Sequence, residues 1–193
     1  IDYPLLSSEE TLCSLACAWS TSPYKGKTSE EHLRQLTATL QGLRESGKHG
    51  LLIVEEAHLL RDPDVAEVLR IVPYLGGEAP AVTVLLVGQS SLAPWLNAFP
   101  AWEEHFGAKC HLPALTCEET MGYVAHRIRA AGAPKNPFTN RALEALFHLS
   151  SGAPRRINRL ADLALLVAFA EDLKQVEAAQ VESVSEELTL RAD

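Results

Sequence analysis

The sequence is short of the features that mark most specialised classes of protein. Of its 193 residues only 6% are aromatic and four are cysteine, Cys13, Cys17, Cys110 and Cys117, with no C-x-x-C among them. That excludes a disulfide-dense scaffold and a cysteine zinc site, and it predicts reduced thiols in the core of a cytoplasmic protein. Cys13 and Cys17 stand four apart in an expected helix, on one face near Leu12 and Leu15, so burial is expected to explain them. Uncharged apolar runs are brief: those at 79–86 and 163–170 fall well short of the roughly 18 residues of a membrane span. The opening Ile-Asp-Tyr-Pro-Leu-Leu has neither the basic nor the apolar region of a signal peptide, and an initial Ile in place of Met suggests a fragment or a processed form. There is no internal repeat, and 11 Gly with 11 Pro excludes a collagen-like or low-complexity chain. What remains is a globular chain, 47% hydrophobic, long enough for one large domain or a domain with a satellite.

Charge is unevenly placed. The net charge is -8. Residues 1–113 carry 8 basic and 14 acidic groups, 160–193 carry 2 and 8, and 127–159 invert the balance with seven basic groups against Glu144 alone. A basic block inside an acidic chain suits the phosphates of a nucleotide or of DNA, or the acidic half of a neighbouring subunit.

Helix signals punctuate the chain. Ser7-Ser8-Glu9-Glu10 and Thr28-Ser29-Glu30-Glu31 each place a hydroxyl cap before first-turn acids, predicting helices through Trp19 and up to Gly47, with a loop over 20–27 between them. Leu51-Leu52-Ile53-Val54 and the segment 82–87 are apolar without alternation, which predicts parallel strands buried on both faces. Asp62-Pro63 starts a helix between them, so strand, helix and strand form a βαβ unit. Beyond Leu115 the pattern is wholly helical, with starts at Thr116, Thr139, Pro154 (running to about Leu173) and Ala178. The boundaries are an α/β core over 1–115 and a helical subdomain over 116–193.

Two strand ends and one helix start carry chemistry. In Leu-Leu-Ile-Val-Glu55-Glu56-Ala-His58 the strand emerges on two acids, of which one can hold a Mg²⁺-bound water and the next can polarise an attacking water. Val84-Leu85-Leu86-Val87-Gly88-Gln89 ends on an amide at the same edge of the sheet, able to bond that water or a γ-phosphate. Gly152-Ala153-Pro154-Arg155-Arg156 projects guanidinium groups from a helix N-terminus, where they can fork onto phosphate oxygens. His58 reads as a surface neighbour of the acids. Trp19, Trp95 and Trp102 read as core or subunit-contact residues.

In this order, LLIVEEAHLL, LLVGQSSL, HLPALTCEET and SGAPRRINRLADLALLVAFAE resemble the ATPase domain of the general secretion pathway protein A (ExeA-like) family of AAA+ proteins. The resemblance runs over nearly the whole chain. It implies a parallel-sheet P-loop NTPase core without its first strand and phosphate loop, followed by a helical lid. It also implies ATP and Mg²⁺ as cofactors, Glu55 as the metal-side acid, Glu56 and Gln89 as catalytic and sensing groups, and Arg155 as the nucleotide-binding lid residue with Arg156 its rival. Homo- or hetero-oligomers acting on a protein partner would follow, in the cytoplasm or at the inner face of the membrane through another domain.

The departures are specific. A phosphate loop G-x-x-x-x-G-K-[ST] belongs ahead of Ile1, and Tyr24-Lys25-Gly26-Lys27-Thr28 is a decoy, because Thr21 stands at its first glycine position and no strand precedes it. Glu55 replaces the usual Asp. His105, near Lys109, stands where the family shows an arginine that reaches into a neighbour's site, and a His cannot fork. A degenerate pseudo-ATPase serving as a structural subunit and a DNA-remodelling AAA+ regulator are the alternatives.

Overall fold

The computed structural model describes residues 1, 4–20, 24–60, 62–98, 102 and 105–190. The position of Thr21, and with it the first step of the decoy, lies outside them, as do residues 21–23 of the expected loop. Two compact units are present, Ile1–Lys109 and Cys110–Asp193.

The first unit contains α1 (Ser8–Trp19), α2 (Ser29–Glu45), β1 (Gly50–Val54), α3 (Pro63–Ile71), β2 (Val82–Leu86) and α4 (Leu92–Asn97). Both leading helices start on full capping boxes, Ser7 with Glu10 and Thr28 with Glu31, so two orphan N–H groups at each end are satisfied reciprocally. Asp62 caps α3 ahead of Pro63. β1 and β2 pair in parallel, Leu52 opposite Val84 and Val54 opposite Leu86. On the free side of β1, the Ile1 ammonium donates to the Ile53 carbonyl and the Glu55 N–H donates to the Ile1 carbonyl, both at 2.9 Å. This is the bonding of a parallel neighbour, so the chain enters the fold alongside β1. The core gathers Leu12, Leu15, Leu36, Leu40, Leu52, Val54, Val65, Leu69 and Val72. Arg44, near the C-terminus of α2, donates to the carbonyls of Pro73, Leu75 and Ala79 at 2.7–3.2 Å and so fastens the turn that leads into β2.

Two expectations need correction here. The strands are buried on one face only. Leu52 and Val54 are inside, while Leu51, Ile53 and Leu85 are 57%, 39% and 47% exposed, because the unit's core, with α1, α2 and α3, gathers on one side of the sheet. The apolar run therefore signals a second face awaiting cover. The thiols are not core residues either: Cys17 and Cys110 are exposed, and Cys13 and Cys117 half-buried. The buried face of α1 is taken by Thr11, Leu12, Leu15 and Ala16. The short helix α4, following the Gly-Gln-Ser-Ser turn, had no periodic signal long enough to announce it.

The second unit holds α5 (Cys117–Ala130), α6 (Asn140–Ser150), α7 (Pro154–Ala170) and α8 (Ala178–Leu190). Its core joins Val124, Phe138, Leu143, Leu146, Ile157, Leu160, Ala164, Val176 and Val181. Thr116 caps α5 in a box with Glu119, and Thr139 caps α6. Helix α7 stops three residues before Leu173, since Glu171 closes it and Asp172 takes a left-handed turn at φ 53. A parallel bridge between Phe138 and Val176 ties the two loops that precede α6 and α8. No helix among the described residues is long and apolar enough to cross a membrane.

Candidate functional site

The carboxyl ends of β1 and β2 meet as one edge. The Val87 N–H donates to the Val54 carbonyl at 2.9 Å and the Ala57 N–H donates to the Val87 carbonyl at 2.8 Å. The parallel register therefore continues beyond the strands and sets the acids of one beside the amide of the other. Gly88 makes this possible, as a Cβ there would lie 3.0 Å from the His58 nitrogen and 3.4 Å from that of Ala57. The Glu56 backbone is left-handed at φ 49, a conformation that costs a non-glycine residue about 1 kcal/mol or more. The turn opens a single 3₁₀ turn, Ala57–Leu59, and buries Ala57 completely.

Glu55 and Gln89 are exposed and Glu56 is half-buried. Among the described residues neither the Glu55 carboxylate nor the Gln89 amide has a hydrogen-bond partner. His58, expected as a surface neighbour of the acids, is instead largely covered and in contact with one of them. Its side chain is only 11% exposed, with Nδ1 lying 3.5 Å from a Glu56 carboxylate oxygen and 3.4 Å from the Gln89 backbone N–H. Its place directly after the acids gave no periodic cue; the turn at Glu56 folds it back beneath them.

The helical unit presents its own edge. Arg155, Arg156 and Arg159 are exposed in the first turns of α7. Arg156 donates to the Leu149 carbonyl at 2.9 Å, capping the end of α6, whereas Arg155 has no hydrogen bond or ion pair among the described residues. The loop that aims them is tightly fixed. Ser151 and Gly152 are both left-handed, at φ 54 and 72; the Leu115 N–H donates to the Gly152 carbonyl at 2.9 Å, and a Cβ on Gly152 would stand 2.0 Å from the Leu115 carbonyl oxygen. Glycine is required there on both counts.

At the decoy the chain supplies an anion of its own. Thr28 is the helix cap of α2, and the N–H groups of Lys27 and Thr28 donate to the Glu31 carboxylate at 2.6 and 3.2 Å, the bonds that hold the Glu31 carboxyl below its ordinary range, that from Lys27 first. The N–H groups a phosphate would use are thus taken by a carboxylate. His105 packs edge-on against Tyr74, ring centroids 5.9 Å apart, and lines a shallow hollow with Arg70, whose guanidinium is paired with Glu67.

No family model matches the chain. Over 129 residues it is 37% identical to General secretion pathway protein A of Aeromonas hydrophila, a match covering 65% of this chain and 23% of that protein. In three dimensions it resembles the Aeropyrum pernix ORC1 protein solved in complex with DNA (TM-score 0.68, 19% identity, 94% of this chain and 47% of that one). It is equally like the ADP form of the ORC2 protein of that organism (TM-score 0.68, 20% identity, 92% and 50%). The chain spans less than a quarter of the curated relative's length and about half of each structure. Through its sequence it is similar to General secretion pathway protein A, and its fold is the α/β fold of the P-loop AAA+ proteins.

Proposed function

We propose that the chain is an ATP-hydrolysing AAA+ module of the General secretion pathway protein A kind, coupling nucleotide turnover to a conformational change in an oligomer that acts on a protein partner. The observation that carries the reading is the bond from the Ala57 N–H to the Val87 carbonyl, which sets Glu55 and Glu56 beside Gln89 at the edge where open α/β sheets take their ligands.

The donor set suits the cofactors. Mg²⁺ asks for one or two carboxylates and completes its shell with water and phosphate oxygens, and Glu55 offers an exposed carboxylate that no other side chain claims among the described residues. Bound Mg-ATP would supply the phosphoryl group and a cation to spread its charge. Glu56 would accept a hydrogen bond from the attacking water and orient it. Gln89 would donate its amide N–H to a phosphate oxygen. Arg155, unpaired among the described residues in the first turn of α7, is the lid residue suited to fork onto phosphate, while Arg156 is committed to the Leu149 carbonyl. A nucleic-acid partner has the basic 127–159 block as its support, and the acidity of the chain as a whole opposes it.

Calorimetric titration with Mg-ATP tests the reading. The chain from Ile1 onward is expected to bind no better than millimolar, and protein extended upstream to include a phosphate loop in the micromolar range. Micromolar binding by the shorter chain, abolished by Lys27→Ala, would restore the decoy and overturn the placement of the phosphates.

A further inference from the structure

His58 holds two contacts through one atom. Nδ1 lies 3.4 Å from the Gln89 backbone nitrogen and 3.5 Å from a Glu56 carboxylate oxygen. An N–H donor needs a lone pair on Nδ1, and a carboxylate needs a proton there; a ring nitrogen carries one or the other. The hydrogen bond from Gln89 and a bond to Glu56 therefore make opposite demands on the same atom. The ring has little freedom to escape the choice, since its side chain is 11% exposed, its own backbone is pressed against Gly88 at 3.0 Å from where a Cβ would sit, and Glu56 is held in its turn at φ 49.

We propose that His58 is a positioning residue that selects which of the two candidate catalytic segments is engaged. With the lone pair on Nδ1 it holds the Gln89 backbone and leaves the Glu56 carboxylate free to orient a water. With a proton on Nδ1 it holds Glu56 and releases the Gln89 turn. The exchange needs no redox partner: solvent takes a proton from one ring nitrogen and returns one to the other. The proposal rests on the reading of Glu56 and Gln89 as the hydrolytic pair, and it makes His58 the device that keeps Glu56 idle until the Gln89 turn is in place.

Competition for one atom has a signature that simple structural support lacks: deleting one partner must strengthen the bond to the other. Hydrogen exchange of the Gln89 amide and the ¹⁵N shifts of the His58 ring, both read by NMR on the 193-residue chain, test it. Glu56→Ala should slow exchange at Gln89 by about threefold, the scale of one modest hydrogen bond, and move Nδ1 toward its unprotonated shift. Glu56→Gly should do the same, which guards against strain introduced by alanine, and His58→Leu should speed exchange at Gln89 by a similar factor. Exchange at Gln89 that is unchanged or faster in both Glu56 variants, with the Nδ1 shift unmoved, overturns the proposal. Undiminished ATP turnover by a Glu56→Gln variant of the extended protein would instead overturn the hydrolytic reading, and the exchange result would still decide whether His58 selects.

Discussion

The two units use the same rare backbone conformation in different places. In the α/β unit it falls on Gly47 and Gly76 and, at the candidate edge, on Glu56, a bulky acid that could carry chemistry and is strained where it stands. In the helical unit it falls on Ser151 and Asp172, at turns after α6 and α7, and on Gly152, whose missing Cβ lets the α6–α7 loop lie against Leu115. Both units therefore keep non-glycine residues in this conformation, and what differs is the place: a candidate acid at the strand edge in the first, and the ends of α6 and α7 in the second, where Gly152 alone meets a contact that no Cβ would clear. Each unit buries a core of its own, and each leaves apolar side chains exposed, Leu51, Ile53 and Leu85 on the sheet of the first and Leu166 and Phe169 on α7 of the second.

Substitutions can break that contrast, and the largest effect is expected at Gly152. Gly152→Ala puts a methyl 2.0 Å from a carbonyl oxygen on a backbone at φ 72, and it should destabilise the helical unit by about 3 kcal/mol or more. Denaturant melts followed by amide signals from each unit should show α5–α8 losing protection while β1 and β2 keep theirs. Next in size is Arg44→Ala, which frees the carbonyls of Pro73, Leu75 and Ala79 at once. A charged donor bonded in this way is worth about 2–3 kcal/mol, so the α/β unit's urea midpoint should fall with the helical unit's unchanged.

A smaller effect separates the two arginines of α7. Arg156→Ala forfeits the bond to the Leu149 carbonyl and should cost about 1 kcal/mol. Arg155→Ala should leave thermal stability within about 0.5 kcal/mol of the parent, as at other exposed positions, while lowering ATP turnover in the extended protein. Equal stability losses would mean that Arg155 too has a structural partner.

Acid sensitivity is the smallest effect, and both units show it through the same kind of helix cap. The Glu31 carboxyl is held low by the N–H groups of Lys27 and Thr28, and that of Glu119 by the backbone N–H and then the hydroxyl of Thr116. A depressed folded-state value means that the stabilisation is present at neutral pH and disappears as pH falls through the lowered values. Glu31→Gln and Glu119→Gln should each flatten the acid limb of a stability–pH curve and leave its alkaline limb alone.

How far the sequence could be read follows the same division. Helices with a hydroxyl cap and an acid three residues on declared their starts to the residue at Ser7, Thr28 and Thr116, because a capping box is a local device. The ends were harder. Helix α7 stops at Ala170 although Val167 and Leu173 continue its apolar spacing, and the left-handed turn at Asp172 has no composition cue. Burial on both faces could not be read from Leu-Leu-Ile-Val, since an apolar run records a face's need for cover and not whether cover is present. Most of the candidate edge was legible as a list of residues, Glu55, Glu56 and Gln89. The residue between them was not, because His58 reaches its position through a backbone turn at Glu56 that no residue type near it requires.

The central claim, that Glu56 is the water-orienting acid at an edge shared with Gln89, is tested most directly by single-turnover ATP hydrolysis in protein extended upstream to include a phosphate loop, comparing the parent with Glu56→Gln at saturating Mg-ATP. A positioned general base contributes about 100-fold or more, so the account predicts a loss of that size with nucleotide affinity unchanged; a rate within a factor of about two of the parent would contradict it.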